Sequence, residues 1–188
     1  MTVVRRFLAL VAAACLSAQA HAEALNQGYP RWTASSAKSG SSEIISDLNL
    51  ECNGSGCARN TLRCVTFHAA ATAGSTDIHS LTDQDKFPLG QLSFWVAASI
   101  MQERKDLLDS QTELGAPTPF VLVSSRVSGV DVVSTHAEIN VGNAPLGMYL
   151  ALWLSDERLH GVRCSYSNKG AEETDNRIVE LLKTLLTK

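Results

Sequence analysis

The spacing of the cysteines constrains this chain more than any other feature. Cys15 lies inside an N-terminal leader. The other four, Cys52, Cys57, Cys64 and Cys164, stand five, seven and one hundred residues apart. No CxxC pair is present, which removes the ligand spacing of zinc fingers, the thioredoxin-type redox motif and the covalent haem motif. An even set of cysteines in an exported chain reads as two disulfides, with more than one pairing formally open. Local chemistry favours Cys52–Cys57, because Asn53-Gly54-Ser55-Gly56 between them can turn tightly. Cys64 and Cys164 each lie in an alternating, strand-like segment and are expected to meet across a core. That bridge would close a loop of one hundred residues and restrict the unfolded chain strongly.

Export itself is read from residues 1–22. Arg5 and Arg6 precede the apolar run Phe7–Leu16, and Ala20-His21-Ala22 forms a small-residue cleavage site, so cleavage is expected after Ala22. The run is too short to span a bilayer, and no later segment is long and apolar enough, so no transmembrane segment is expected. Lipid attachment at Cys15 is the less favoured alternative, since Ala12 stands where a larger aliphatic residue is usual. The expected location is the periplasm or the exterior. The formal charge is −3, and loss of Arg5 and Arg6 with the leader makes it more negative. Nothing in that balance recruits nucleic acid. With 45% apolar residues, the remainder is long enough to bury a core without metal.

Residues 23–42, rich in Ser, Ala and Gly, read as a flexible N-terminal arm, or as a short strand around Trp32 followed by a loop. Residues 43–188 read as one α+β domain. Glu43–Leu50 alternates imperfectly, whereas Thr61–Ala69 alternates well, with Leu62, Cys64, Thr66 and His68 on one face and Arg63, Val65 and Phe67 on the other. Residues 70–87 read as a loop. Leu92, Val96, Ile100 and Leu107 recur at helical spacing and predict a central helix over Leu89–Ser110. From Phe120 the pattern predicts a four-strand meander: two strands around a turn at Ser128-Gly129, the apolar strand Leu146–Leu154, and a last strand Leu159–Ser167. Ala171–Thr187 is an amphipathic helix with a stripe of Ile178, Leu181, Leu182 and Leu185. The expected fold is therefore an antiparallel sheet with a central and a C-terminal helix packed on one face, stapled by disulfides. This order of elements is similar to that of the small secreted domains called PsbP-like, over roughly two thirds of the chain and without a shared residue motif. The resemblance implies a fold and carries no function.

Chemical motifs are sparse. There is no G-x-S-x-G elbow, no H-E-x-x-H and no phosphate-binding glycine loop. His136-Ala137-Glu138 begins like a zinc deaminase signature, but no P-C-x-x-C follows, and the pair reads as a solvated strand face. Asp83-x-Asp85 begins like a calcium loop but runs into Phe87-Pro88. Asn53-Gly54-Ser55 is a glycosylation sequon. No metal site and no cofactor are expected. Of His68, His79, His136 and His160, His68 stands out because it shares a face with Cys64 near Arg59 and Arg63. The expected recognition site is thus Asn53, Ser55, Arg59, Arg63 and His68, around a cross-linked loop that would lose little entropy on binding.

These features favour an exported, non-catalytic binding protein for a protein partner or a cell-envelope component, such as an inhibitor or immunity-type protein. The alternatives are a small periplasmic hydrolase whose site assembles only in three dimensions, with His68 or His136 as base, and a secretion or envelope assembly factor. A deep cleft combining a histidine, a carboxylate and a hydroxyl would mark the hydrolase, and a flat patch beside the Cys52–Cys57 loop the binder.

Overall fold

A computed structural model describes residues 27–37, 44–53, 57, 62–70, 77–78, 121–141, 144–167 and 171–188. Seven strands, β1 (Trp32–Ser36), β2 (Ile44–Cys52), β3 (Arg63–Ala70), β4 (Val123–Val127), β5 (Val130–Val141), β6 (Ala144–Ser155) and β7 (Arg158–Ser167), form one sheet. Every pairing is antiparallel, in the order β1-β2-β3-β7-β6-β5-β4. The C-terminal helix, Ala171–Leu186, packs on one face.

This corrects the expected architecture. The expected four-strand meander is present as β4–β7, but it is part of a larger sheet. That sheet has seven strands, and among the described residues there is a single long helix, the C-terminal one. The correction arises at the N-terminal end, where β1, β2 and β3 extend the meander through the β3–β7 pairing. The segment expected as an arm, or as a short strand around Trp32, contributes β1, in which Trp32 and Ala34 are buried between exposed neighbours. The helix expected over 89–110, the loop expected over 70–87 apart from Ala70, Asp77 and Ile78, and the leader over 1–22 lie outside the described residues.

The meander follows from alternation and turn chemistry. Ser128 and Gly129 both have positive φ, 51° and 84°, in the two-residue connection of β4 and β5. Asp156 and Glu157 adopt the same conformation, 51° and 58°, between β6 and β7. Left-handed residue pairs of this kind match the twist of a hairpin. The strand β6 is apolar on both sides because both sheet faces are covered. Tyr149, Ala151 and Trp153 pack with Val162, Cys164 and the helix stripe Ile178, Leu181 and Leu182. Leu146, Met148, Leu150 and Leu152 pack on the opposite face with Phe67, Val133 and Ile78. Each face also holds a cross-strand aromatic over a glycine: Phe67 lies on Gly161 and Tyr166 on Gly147.

Both disulfides join the favoured partners, Cys52–Cys57 and Cys64–Cys164. Cys64 and Cys164 are directly opposed on β3 and β7, with Cα atoms 4.0 Å apart. The bridge therefore lies within the sheet, side by side with the ladder, and not across the core between layers.

Candidate functional site

The face opposite the C-terminal helix changes character from one side of the sheet to the other. Reading across the strands, Thr33, Glu51, Arg63, Ser165, Met148 and Ala137 stand in one row. Ser35, Asn49, Val65, Arg163 and Leu150 stand in the next. Over β5–β7 and the Val65–Phe67 stretch of β3 the face is buried and largely apolar, while over β1, the Asn49–Glu51 end of β2 and Arg63 it is polar and open. Thr33, Ser35, Asn49, Glu51 and Arg63 line a shallow depression there of about 360 Å³. Arg63 Nε lies 3.3 Å from Glu51 Oε1, and both side chains are partly exposed, so this pair contributes little stability and can exchange its partner for another. At the rim, the side-chain amide of Asn53 donates to Thr33 Oγ1, and the backbone N–H of Asn53 donates to the carbonyl of Arg31, 2.8 Å away. The Cys52–Cys57 bridge belongs to the opposite face, where both cysteines are buried in the cluster that holds Tyr29 and Trp32.

A second group forms on the helix-bearing face. The pairing of β2 with β3 slips between Ser46 and Leu48, leaving Asp47 as the extra residue of a bulge. Bulges re-aim side chains. Here the Asp47 carboxylate lies 2.8 Å from His68 Nδ1, and the displaced Leu48 N–H donates to Thr66 Oγ1 at 3.2 Å. His68 is directly opposite His160, which in turn is opposite Trp153. The His160 and Trp153 rings are stacked with centroids 6.0 Å apart. Tyr29 lies within the electrostatic reach of Asp47; burial first, and then that carboxylate, raise its pKa above the ordinary phenol value. The ammonium of Lys188 sits 3.4 Å from the Tyr29 ring centroid.

A third group surrounds His136, whose Nδ1 is 3.5 Å from the Tyr166 hydroxyl and 3.9 Å from Asp175 Oδ1. Burial pushes the Tyr166 phenol up to about 12, reinforced by the negative charges of Asp175 and Glu138. His136 remains half-exposed, and Glu138 is exposed on the same side.

Of the residues expected to form the recognition site, Asn53 and Arg63 flank the polar depression. His68 points to the opposite face of β3, as the odd spacing from Arg63 requires. Ser55 and Arg59 lie outside the described residues, as does His79. Thr33, Ser35, Asn49 and Glu51 escaped the sequence reading, because β1 is a short Ser/Ala-rich edge strand whose place beside β2 has no local signal. The Asp47–His68 contact escaped it because a bulge defeats alternation. Among the described residues no three His, Cys, Asp or Glu side chains converge as a metal cluster, and no helix is long and apolar enough to cross a membrane.

No protein-family model and no curated protein matches this chain. Among solved structures, it is similar to the solution structure of cyanobacterial PsbP (CyanoP) from Synechocystis sp. PCC 6803. The TM-score is 0.50 at 7% identity, covering 80% of this chain and 78% of that one. A protein of unknown function from Pseudomonas aeruginosa aligns over 82% of this chain and 95% of its own, with TM-score 0.41 and 10% identity. At 7% identity the likeness to the cyanobacterial protein is one of fold alone, and it transfers no site residue.

Proposed function

We propose that this is an exported, non-catalytic binding protein that engages a protein partner or a cell-envelope component through the polar face of β1–β3. The observation that carries the reading is the shape and lining of that face. It is a shallow sheet surface of Thr33, Ser35, Asn49, Glu51 and Arg63, with its rim held by Asn53. A preformed surface of this kind costs little ordering on association. A second depression formed by described residues, on the exposed side of the helix, is lined by Arg31, Arg177, Glu180 and their neighbours and also contains no histidine. The hydrolase alternative needs a histidine, a carboxylate and a nucleophile around one cleft. His68 has its carboxylate in Asp47, but its other described ring neighbour is His160. An inhibitor or immunity-type role, in which this face occupies the cleft of a harmful enzyme, is the form of binding that the rigid rim serves best.

The test is affinity capture from the native periplasm with the chain from Glu23 onward, beside an Arg63→Glu variant and a Lys183→Glu variant on the helix. A partner retained by the wild type and the Lys183 variant and lost by the Arg63 variant supports the reading. Equal retention by all three refutes the assigned surface. Hydrolytic turnover that disappears in His68→Ala would establish the enzyme instead.

A further inference from the structure

We propose that His68 and His160 form a binding site for a divalent transition-metal cation of the imidazole-preferring kind, Cu2+ most tightly. The inference rests on the helix-bearing face and is independent of the polar face assigned to partner binding. Three observations converge. The two histidines are directly opposite on neighbouring antiparallel strands, and their ring centroids lie 6.2 Å apart. The Asp47 carboxylate lies 2.8 Å from His68 Nδ1. A carboxylate only accepts, so it holds the ring proton on Nδ1 and leaves the lone pair of a neutral His68 on Nε2. This is the arrangement by which carboxylates orient metal-binding histidines and raise their basicity. Finally, His160 Nε2 is buried and has no hydrogen-bond partner among the described residues. A buried polar atom left unsatisfied calls for an explanation, and a role as metal ligand supplies one.

The geometry is compatible. Two imidazoles that share one ion at the usual metal–nitrogen distance of about 2.0–2.1 Å have ring centroids roughly 5–6 Å apart. From 6.2 Å, modest rotation about the side-chain bonds brings the two nitrogens onto a common centre. Trp153, stacked against His160, limits the other orientations of that ring. With only two protein ligands, the remaining positions fall to water or to a donor from a bound molecule. Imidazole sites favour copper over zinc and nickel by the general order of divalent affinities. Ligand spacing along the sequence gives no sign of this pair, because the two histidines are joined only by the β3–β7 register.

The experiment is a titration of the full exported chain with Cu2+ alone, read by calorimetry and by electron paramagnetic resonance. One ion per chain with nitrogen coupling is expected. His68→Gln and His160→Gln should each weaken binding tenfold or more. Asp47→Asn should weaken it by a similar factor, about 10–100-fold, although Asp47 holds the ring and does not touch the ion. His136→Gln, on a half-exposed histidine elsewhere, should leave it unchanged. Equal affinity in wild type and His160→Gln, or an equal loss in His136→Gln, overturns the proposal. If either ligand variant misfolds, paramagnetic broadening in the wild-type amide spectrum decides. Broadening centred on residues 68 and 160 supports the site, and broadening centred elsewhere refutes it.

Discussion

Removing the two disulfides separately should have unequal costs, and the structure says by how much. The pairs to compare are Cys64→Ala with Cys164→Ala, and Cys52→Ala with Cys57→Ala. All four cysteines are buried, at 1%, 1%, 3% and 7% exposure, so both double variants lose similar packing and the comparison largely cancels it. What differs is the loop each bridge closes, 100 residues against 5. Chain entropy then gives about 4.7 kcal/mol for the long loop and about 2 kcal/mol for the short one, a gap of roughly 2–3 kcal/mol. The native sheet supplies a second reason to expect the long bridge to act through the unfolded chain. Arg63–Ala70 already pairs with Arg158–Ser165 residue for residue, so the seam survives in the folded state when the sulfur link is gone. The assay is equilibrium urea unfolding followed by far-ultraviolet circular dichroism. The Cys64/Cys164 variant should unfold at lower urea with a larger m-value, because an uncrosslinked unfolded chain exposes more surface. For a chain of this size the gap corresponds to roughly 5–10 °C in Tm. Equal destabilisation by the two pairs, or a larger loss on opening Cys52–Cys57, would refute the reasoning.

Three further outcomes are expected. Gly161→Ala places a methyl 2.3 Å from Phe67 Cζ, inside a ring that is 2% exposed; it should cost about 1–3 kcal/mol in chemical unfolding, and a neutral result would show that the Phe67 ring has room to move. Glu157→Gly should stabilise by about 1 kcal/mol, since Glu157 holds a φ of 58° in the β6–β7 turn where glycine has no steric penalty; a lower thermal midpoint would contradict this. Tyr29, Tyr149 and Tyr166 all have raised pKa values, each mainly through burial, Tyr166 to about 12. Because the folded values exceed the unfolded one near 10, the stability tied to the neutral phenols is full below about pH 10 and is lost as pH rises through the folded values, to about 12 for Tyr166. Absorbance titration near 295 nm should show all three ionising later in the folded chain than in denaturant, and coincident curves would refute the burial assignment.

The C-terminal half was the more legible part of the fold for a physical reason. Strand β5 alternates over most of its length, β6 is apolar nearly throughout, and Ser128-Gly129 is a local turn signal. The boundaries read from the sequence for β6, β7 and the C-terminal helix lie within a few residues of Ala144–Ser155, Arg158–Ser167 and Ala171–Leu186. The N-terminal half was harder to read. The imperfect alternation of Glu43–Leu50 is the mark of the bulge at Asp47, and a bulge looks like noise when no partner strand is known. Strand β1 holds only Trp32 and Ala34 as buried residues, too few for a period to show. For the site, alternation alone places Arg63 and His68 on opposite faces, so grouping them by closeness in sequence ran against the strand geometry.

The same disulfide that staples the fold also fixes which residues share a face across β3 and β7. Once Cys64 and Cys164 are taken as direct neighbours on antiparallel strands, the register of β3 on β7 is fixed, because the two chains run in opposite directions from that point. Four residues beyond Cys64 is His68, and four residues before Cys164 is His160, so the two histidines must face each other on the same side as the bridge. One residue before Cys64 is Arg63, which must face Ser165 on the other side. The β3–β7 seam thus sorts the chemistry of the chain in two directions: the histidines, Asp47 and the stacked Trp153 on the helix-bearing face, and Arg63 with its polar neighbours on the open one. It is also the junction that joins the three N-terminal strands to the four C-terminal strands. A shift of the seam by one residue would exchange the faces of His68 and Arg63 together and would separate the cysteines. The covalent link across the seam holds both arrangements in place at once.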